Sequence, residues 1–172
     1  MMYLLISSFL LVALYVGAAI WRKRKLPESI SALVYDLSKP WQRVWSLWLA
    51  LVTLFLSPSL TYVMPNVWAS LMADAMIVCL AMTAAMPLLP GYHNRAHYVC
   101  SIAAGVISQV LVWIVVPYWL LMWVVLPVLP FIDKKWFMPR EPMWLINAKV
   151  LILEAICSFT LFGALFTKII MI

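Results

Sequence analysis

The apolar residues of this chain form long unbroken blocks that are separated by short polar stretches. A helix needs about 20 residues to cross about 30 Å of hydrocarbon, and most of the blocks have about this length. Continuous blocks favour helices over the alternating pattern of membrane-spanning strands. The sequence therefore predicts an all-α polytopic membrane protein, with six transmembrane helices in one bundle over residues 1–172. The predicted spans are residues 2–21, 44–63, 67–86, 98–115, 118–132 and 144–166.

Prolines and charges set several of these boundaries. Ser57–Pro58–Ser59 is expected to break the second block near its end, and the prolines that follow residue 86 to stop the third. Residues 98–132 carry no charge, yet they are too many for one span and few for two. Basic residues flank this stretch on both sides, and the positive-inside rule places both flanks on the same face of the membrane. Two short spans with a tight turn at Pro117 satisfy that rule.

Composition agrees with a membrane protein. The chain is 67% hydrophobic and 10% charged, whereas soluble domains are about 45–50% apolar and about 25% charged. A water-soluble globule is excluded, and so is a disordered chain, which needs the opposite composition. The three cysteines lie inside apolar blocks without metal-binding spacing, so we interpret them as small buried hydrophobic residues.

The net charge of +6 reports orientation rather than a nucleic-acid partner. Of the 12 basic residues, all but Lys149 and Lys168 fall in the connections after the first, third and fifth spans. Positive charge marks the cytoplasmic side, so both termini are expected outside. Since no soluble face gathers these charges, we predict membrane lipids as partners and no nucleic acid.

Four polar residues inside the predicted spans are candidates for a buried site. A charged side chain at mid-membrane costs about 2.5–3.5 kcal/mol on insertion scales, so Asp74 and Glu154 each need a reason to be there. With a rise of about 1.5 Å per residue, Asp74 is expected about 10 Å below the outer surface and Glu154 about 15 Å from the inner one. Ser108 and Gln109 fall at similar depth. Either the four converge on a ligand site, or protonated carboxyl groups join neighbouring helices structurally.

His93 and His97 are four residues apart and would share a helical face. Two ligands do not make a zinc site, which needs at least three protein ligands, so we predict no metal and no cofactor. The pair suits contacts with phosphate headgroups, together with Arg95 and, at the start of the sixth span, Lys149.

Two further segments suggest specific contacts. Small residues line one side of the fourth span, a pattern that allows close helix approach and association of copies of the chain. These residues are Ser101, Ala104, Gly105 and Ser108. Residues 27–35 are apolar enough to lie in the membrane interface, and Ser29 suits a helix N-cap.

Two segments of the chain form recognisable motifs. One is Pro-x-Ser-Ile/Val-Ser-Ala ending in tyrosine, here Pro27 to Tyr35. The other is a histidine opening the fourth span, followed by small residues, Ser-Gln and a tryptophan, here His97, Ala103, Gly105, Ser108, Gln109 and Trp113. In these motifs the chain resembles small six-span bacterial membrane proteins found among gut Bacteroidales and their phages. The resemblance implies a six-helix fold in a bacterial cytoplasmic membrane, and it brings no activity.

Three functions compete at this stage. The first is a lipid- or small-ligand-binding protein, or a carrier, with a polar cavity open to the cytoplasm. Its candidate residues are Ser29, Ser31, Tyr35 and His97 at the mouth, with Ser108, Gln109, Glu154 and Asp74 deeper. The second is a lipid-modifying enzyme with His97, Glu154 and Asp74 as acid–base groups, although no catalytic motif accompanies them. The third is a structural or assembly subunit. We favour the first and lean against an enzyme.

Overall fold

The computed structural model is all-helical wherever it describes the chain, which is at residues 1–23, 29–30, 34–35, 37–89, 94–124 and 149–172. Five α-helices form most of it. They are α1 (Met2–Lys23), α2 (Lys39–Val63), α3 (Val67–Ala85), α4 (Asn94–Val115) and α5 (Lys149–Met171). Two 3₁₀ segments, Met86–Leu88 and Pro117–Val124, follow α3 and α4 respectively.

The α-helices overlap the first four predicted spans and the sixth, with described ends that differ from the predicted ones by up to five residues. The segment after α4 begins as the 3₁₀ helix Pro117–Val124 instead of an α-helix. The rest of that predicted span, and residues 144–148 of the sixth, lie outside the described residues. By length and apolar composition, four described helices could cross a membrane, whereas the apolar part of α1, Met2–Ala18, is shorter.

The expected break at Pro58 is wrong, because α2 continues through it to Val63. Proline removes one backbone donor, yet a helix that is packed along its length can absorb that loss, as membrane helices often do. The helix also begins earlier than expected, at Lys39, because Pro40 suits the first turn of a helix. The N-terminus of α3 is capped by Asn66, whose side-chain oxygen accepts a hydrogen bond from Ala69 N at 2.9 Å.

The five helices pack as a closed ring. Each of α1 to α4 contacts the next helix in the chain, and α5 packs back against α1. We call the end that holds Met1 and the 64–66 connection the turn end. The opposite end, where α2, α4 and α5 begin, is the loop end.

An apolar core fills the ring towards the turn end. All five helices contribute buried side chains to it, which are Leu5, Leu56, Leu60, Val63, Ala73, Met76, Ala104, Leu111, Val112, Val116, Leu161, Phe162, Ala164 and Leu165. Hydrogen bonds also fix α1 on α2. The Ser8 hydroxyl donates to Val52 O at 3.1 Å, and the Trp48 indole N–H donates to Leu11 O at 2.9 Å. Ser29, Tyr35, His97 and Glu154 lie nearer the loop end.

Candidate functional site

Glu154 ties the connection after α1 to α5. Its carboxylate accepts hydrogen bonds from the Ser29 hydroxyl, at 2.8 Å, and from the backbone N–H of Ile30. Ser29 is buried, and its hydroxyl is used in this contact. These bonds join α5 to the connection that follows α1, and the depth of Glu154 in a membrane stays a prediction.

His97 is the centre of an aromatic group at the same end of the bundle. It is fully buried in the first turns of α4. Its Nδ1 lies 3.2 Å from Thr83 O, a carbonyl near the end of α3, where helical carbonyls lose their usual partners. Ring centroids of Tyr35, Trp45 and Tyr98 lie 5.3, 5.8 and 5.8 Å from the His97 ring. We call Ser29, Tyr35, Trp45, Ser46, His97 and Glu154 the loop-end cluster.

Tyr35 stays a neutral phenol in this cluster. Burial raises the pKa of its hydroxyl above the ordinary value, and the neighbouring Tyr98 adds to the effect. The reason is that a phenolate loses hydration at a half-buried position, which disfavours the charged form. Tyr35 is therefore uncharged throughout the physiological pH range.

Two buried polar atoms of α2 have no hydrogen-bond partner among the described residues: Trp45 Nε1 and Ser46 Oγ. Trp45 is 1% exposed and Ser46 is 3% exposed, so solvent does not satisfy them. An orphaned buried polar group costs about 1–3 kcal/mol, and each one in a native fold requires an explanation. Neither residue could be recognised from the pattern of apolar and polar positions, because a Trp-Ser pair inside an apolar helix is ordinary.

Gln109 joins α4, the 3₁₀ segment and α5 at a second polar centre. Its Oε1 accepts from Trp123 Nε1 at 2.8 Å and from the Thr160 hydroxyl at 3.0 Å. Its Nε2 donates to Ser108 Oγ at 3.0 Å and to Cys157 O at 3.4 Å. Both polar atoms of the amide are thus used inside the bundle, which suits helix-to-helix attachment better than ligand contact.

Trp119, just after Pro117, attaches the 3₁₀ segment to α5. Trp119 Nε1 donates to the Thr167 hydroxyl at 3.1 Å. The indole lies directly against Gly163, where an added Cβ would come within 2.6 Å of the ring. Trp119 thus lies near the turn end, whereas Trp123 reaches Gln109 farther into the bundle. The described part of the segment therefore runs back along α5. Gly163 makes a close contact that the sequence analysis missed.

Asp74 is not part of either polar centre. It is exposed, and within the described chain it makes no hydrogen bond or ion pair. The expected convergence of Asp74 with Glu154, Ser108 and Gln109 is therefore wrong. The reason is helical phase, because Ala73 and Met76 take the packed face of α3 and turn Asp74 outwards.

The remaining candidates divide between the loop end and parts of the chain that are not described. Arg95 is exposed in the first turn of α4, where headgroup contact stays a prediction. Lys149 is the first residue of α5. Ser31 and His93 lie outside the described residues.

The small-residue side of α4 faces other helices of the same chain. Ala104 and Ser108 are buried, Ser101 is half-buried, and an added Cβ at Gly105 would meet Cys157 Sγ at 3.8 Å. Close approach is thus used between α4 and α5, so this side has little surface for a second copy.

The described residues contain no group of three or more His, Cys, Asp or Glu side chains that could hold a metal ion. The arrangement offers instead hydrogen-bond donors within an aromatic and apolar setting. Comparisons with protein-family models, with curated proteins and with solved structures found no match to this chain.

Proposed function

We propose that this chain is a six-span protein of a bacterial cytoplasmic membrane, with both termini outside, and that its loop-end cluster binds a lipid or a small polar ligand from the cytoplasmic side. The single observation that carries the proposal is the pair of orphaned atoms, Trp45 Nε1 and Ser46 Oγ. Burial without partners costs free energy in the empty protein. A ligand that supplies acceptors recovers it.

The chemistry of the cluster favours a ligand with acceptor oxygens. An indole N–H only donates, and the Ser46 hydroxyl can donate as well. Arg95 is exposed at the same end and adds attraction for negative charge. Phosphate and ester oxygens of a phospholipid headgroup match these features, and a free phosphorylated metabolite carries the same acceptor groups.

A pair of tryptophan variants tests the proposal. Trp45 and Trp48 both lie on α2, with ring centroids 6.2 Å apart, but among the described residues only the Trp48 N–H has an acceptor. The protein is purified in nanodiscs of native lipid, and bound lipids and metabolites are counted by native mass spectrometry. Trp45→Phe is expected to lower ligand occupancy at least tenfold, whereas Trp48→Phe is expected to preserve it.

Equal occupancy in the wild type and the Trp45→Phe variant would contradict the proposal. So would a preparation that carries no bound molecule at any lipid composition. Loss of a lipid identifies a headgroup ligand, whereas loss of a soluble phosphorylated compound identifies a metabolite.

A structural role is the competing proposal, and the Gln109 contacts favour it. That residue fastens three segments together with no polar atom left for a ligand. If neither tryptophan variant changes the bound molecules, the polar residues of the loop end serve the same fastening role.

A further inference from the structure

The connection between α1 and α2 passes over the loop end of the ring. The Ser29 hydroxyl and the Ile30 backbone N–H donate to Glu154 on α5. A few residues later, the Tyr35 ring lies 5.3 Å from the His97 ring on α4. In ring order α4 is two places from α1 and two places from α2. The connection therefore reaches across the end of the ring before it returns to α2. We call its described residues 29, 30, 34 and 35 the strap.

The strap is firmly seated on the bundle. Ser29 is 4% exposed, and the Val34 side chain is fully buried. Two hydrogen bonds lead from the strap back to α2. Leu37 N donates to Val34 O at 3.2 Å, and Gln42 Nε2 in the first turn of α2 donates to Leu37 O at 3.0 Å. The strap thus covers the loop end as a continuation of α2.

The orphaned polar atoms lie at the end of the bundle that the strap covers. Tyr35 of the strap contacts the His97 ring, and the Trp45 ring lies 5.8 Å from the same histidine. Trp45 and Ser46 are in the second turn of α2 and are 1% and 3% exposed. A ligand that arrives from the loop end therefore reaches neither atom until a covering segment moves.

The strap is the covering segment that can move at the lowest cost. All five helices contribute to the apolar core, so separating them would break its packing. The strap is attached to α5 by hydrogen bonds to a carboxylate, and such bonds can be exchanged for bonds to water. Local openings of this kind lie at the low end of the free energies at which parts of a fold open.

We propose that the strap is a gate over the loop-end cluster and that Glu154 is the positioning residue that keeps it closed. The proposal rests on the ligand site proposed above and names the step that regulates its loading. The two bonds join Glu154 to the strap and do not involve the orphaned atoms. As long as the closed form dominates, weakening these bonds raises the open fraction and the rate of ligand exchange by the same factor, and it leaves equilibrium occupancy unchanged.

Modification of buried thiols measures the opening without any ligand. The three native cysteines are replaced by alanine. Val34→Cys then places a buried thiol in the strap, and Ser46→Cys, in a separate protein, places one at the orphaned site. Both proteins are held in nanodiscs of phosphatidylglycerol and phosphatidylethanolamine and treated with a charged methanethiosulfonate, which modifies a thiol only where water reaches it.

Ser29→Ala removes one of the two bonds to Glu154 and is expected to raise both modification rates at least tenfold, by the same factor. Ser8→Ala is the matched control, because it removes an equally buried hydroxyl that bonds α1 to α2, and it should leave both rates unchanged. Glu154→Leu should raise the rates further than Ser29→Ala does. Glu154→Gln keeps an acceptor oxygen, so its rates should fall between those of wild type and Glu154→Leu.

Two results would overturn the gate. One is unchanged modification of both thiols in Ser29→Ala and in Glu154→Leu. The other is faster modification at Val34→Cys with an unchanged rate at Ser46→Cys, which would mean that the strap opens without uncovering the orphaned site.

Ligand exchange separates failure of the gate from failure of the ligand site. Protein loaded with deuterated phosphatidylglycerol is mixed with vesicles of the unlabelled lipid, and native mass spectrometry follows the replacement of bound lipid. A second arm uses ¹³C-labelled glycerol 3-phosphate, which offers the same phosphate oxygens from a soluble source. In Ser29→Ala, replacement is expected to be at least tenfold faster at the same equilibrium occupancy, and replacement at the wild-type rate would overturn the gate. Absence of bound label in both arms would contradict the ligand site, while the thiol rates decide the gate by themselves.

Discussion

Replacing Ser46 by alanine is expected to raise the free energy of unfolding of the ligand-free protein. Most substitutions at buried positions lower it. The Ser46 hydroxyl is buried and has no hydrogen-bond partner in the described chain. An unsatisfied buried hydroxyl costs about 1–3 kcal/mol, and alanine removes that cost with little change in volume. We expect the free energy of unfolding to rise by about 1 kcal/mol, towards the lower end of this range.

Ser8→Ala is the matched control. Ser8 is also fully buried in a helix, but its hydroxyl donates to Val52 O across the α1–α2 contact. A bond of this kind contributes about 0.5–1.5 kcal/mol in proteins generally and averages about 0.6 kcal/mol between membrane helices. The same chemical change is therefore expected to have opposite signs at the two positions.

Reversible unfolding in mixed detergent micelles measures both variants, after bound lipid has been removed by exchange. If Ser46→Ala lowers the free energy of unfolding as much as Ser8→Ala does, the Ser46 hydroxyl has a partner and the reasoning is refuted. Adding back the co-purified ligand should then stabilise the wild type more than Ser46→Ala, since only the wild type can offer the hydroxyl.

Three other predictions follow from single contacts. Gly163→Ala should lower the free energy of unfolding by about 1–3 kcal/mol, because the added methyl group overlaps the Trp119 indole. Thermal denaturation measures this change. The control Gly17→Ala should lose no stability, because an added Cβ there meets nothing within 4 Å. Glu154→Leu should free the segment after α1, seen as faster hydrogen exchange at the Ile30 amide, and unchanged exchange would show that the carboxylate does not hold it. The raised pKa of Tyr35 in the folded state means that the free energy of unfolding does not depend on this group below its ordinary pKa of 10.0 and falls as pH rises above that value. The fall should be smaller in Tyr35→Phe. Equal falls in the two proteins would contradict a raised pKa for Tyr35.

The helix boundaries could be predicted from the sequence because they depend on local features. Unbroken apolar blocks and flanking charges placed α1 to α4 to within a few residues of their ends. Pro58 was misjudged because proline destabilises a helix locally, whereas packing along the whole of α2 compensates for it. Within the fifth predicted span only the first residues are described, and they form the 3₁₀ helix Pro117–Val124 in place of the expected α-helix.

The polar residues could be identified from the sequence, but their partners could not. Asp74, Glu154 and Gln109 stood out because polar side chains are rare in apolar blocks and cost free energy there. Nothing local indicated that Glu154 would bond a connection distant in sequence or that Gln109 would collect an indole and a threonine hydroxyl. Trp45 and Ser46 were missed because the lack of a hydrogen-bond partner depends on the neighbouring atoms in the folded chain, which the sequence does not show.

The sequence by itself determined that the chain is helical, roughly where most of the described helices lie, and which few polar side chains lie within apolar helices. Those properties depend on how many apolar residues lie in a row and on where charges interrupt them. The tertiary structure alone decided which way each side chain faces. α3 is apolar on nearly every side, so its own pattern cannot distinguish an inward from an outward Asp74. Only packing against α2 and α4 turned that carboxyl out of the ring, while α5 turned Gln109 and Glu154 towards partners within the chain.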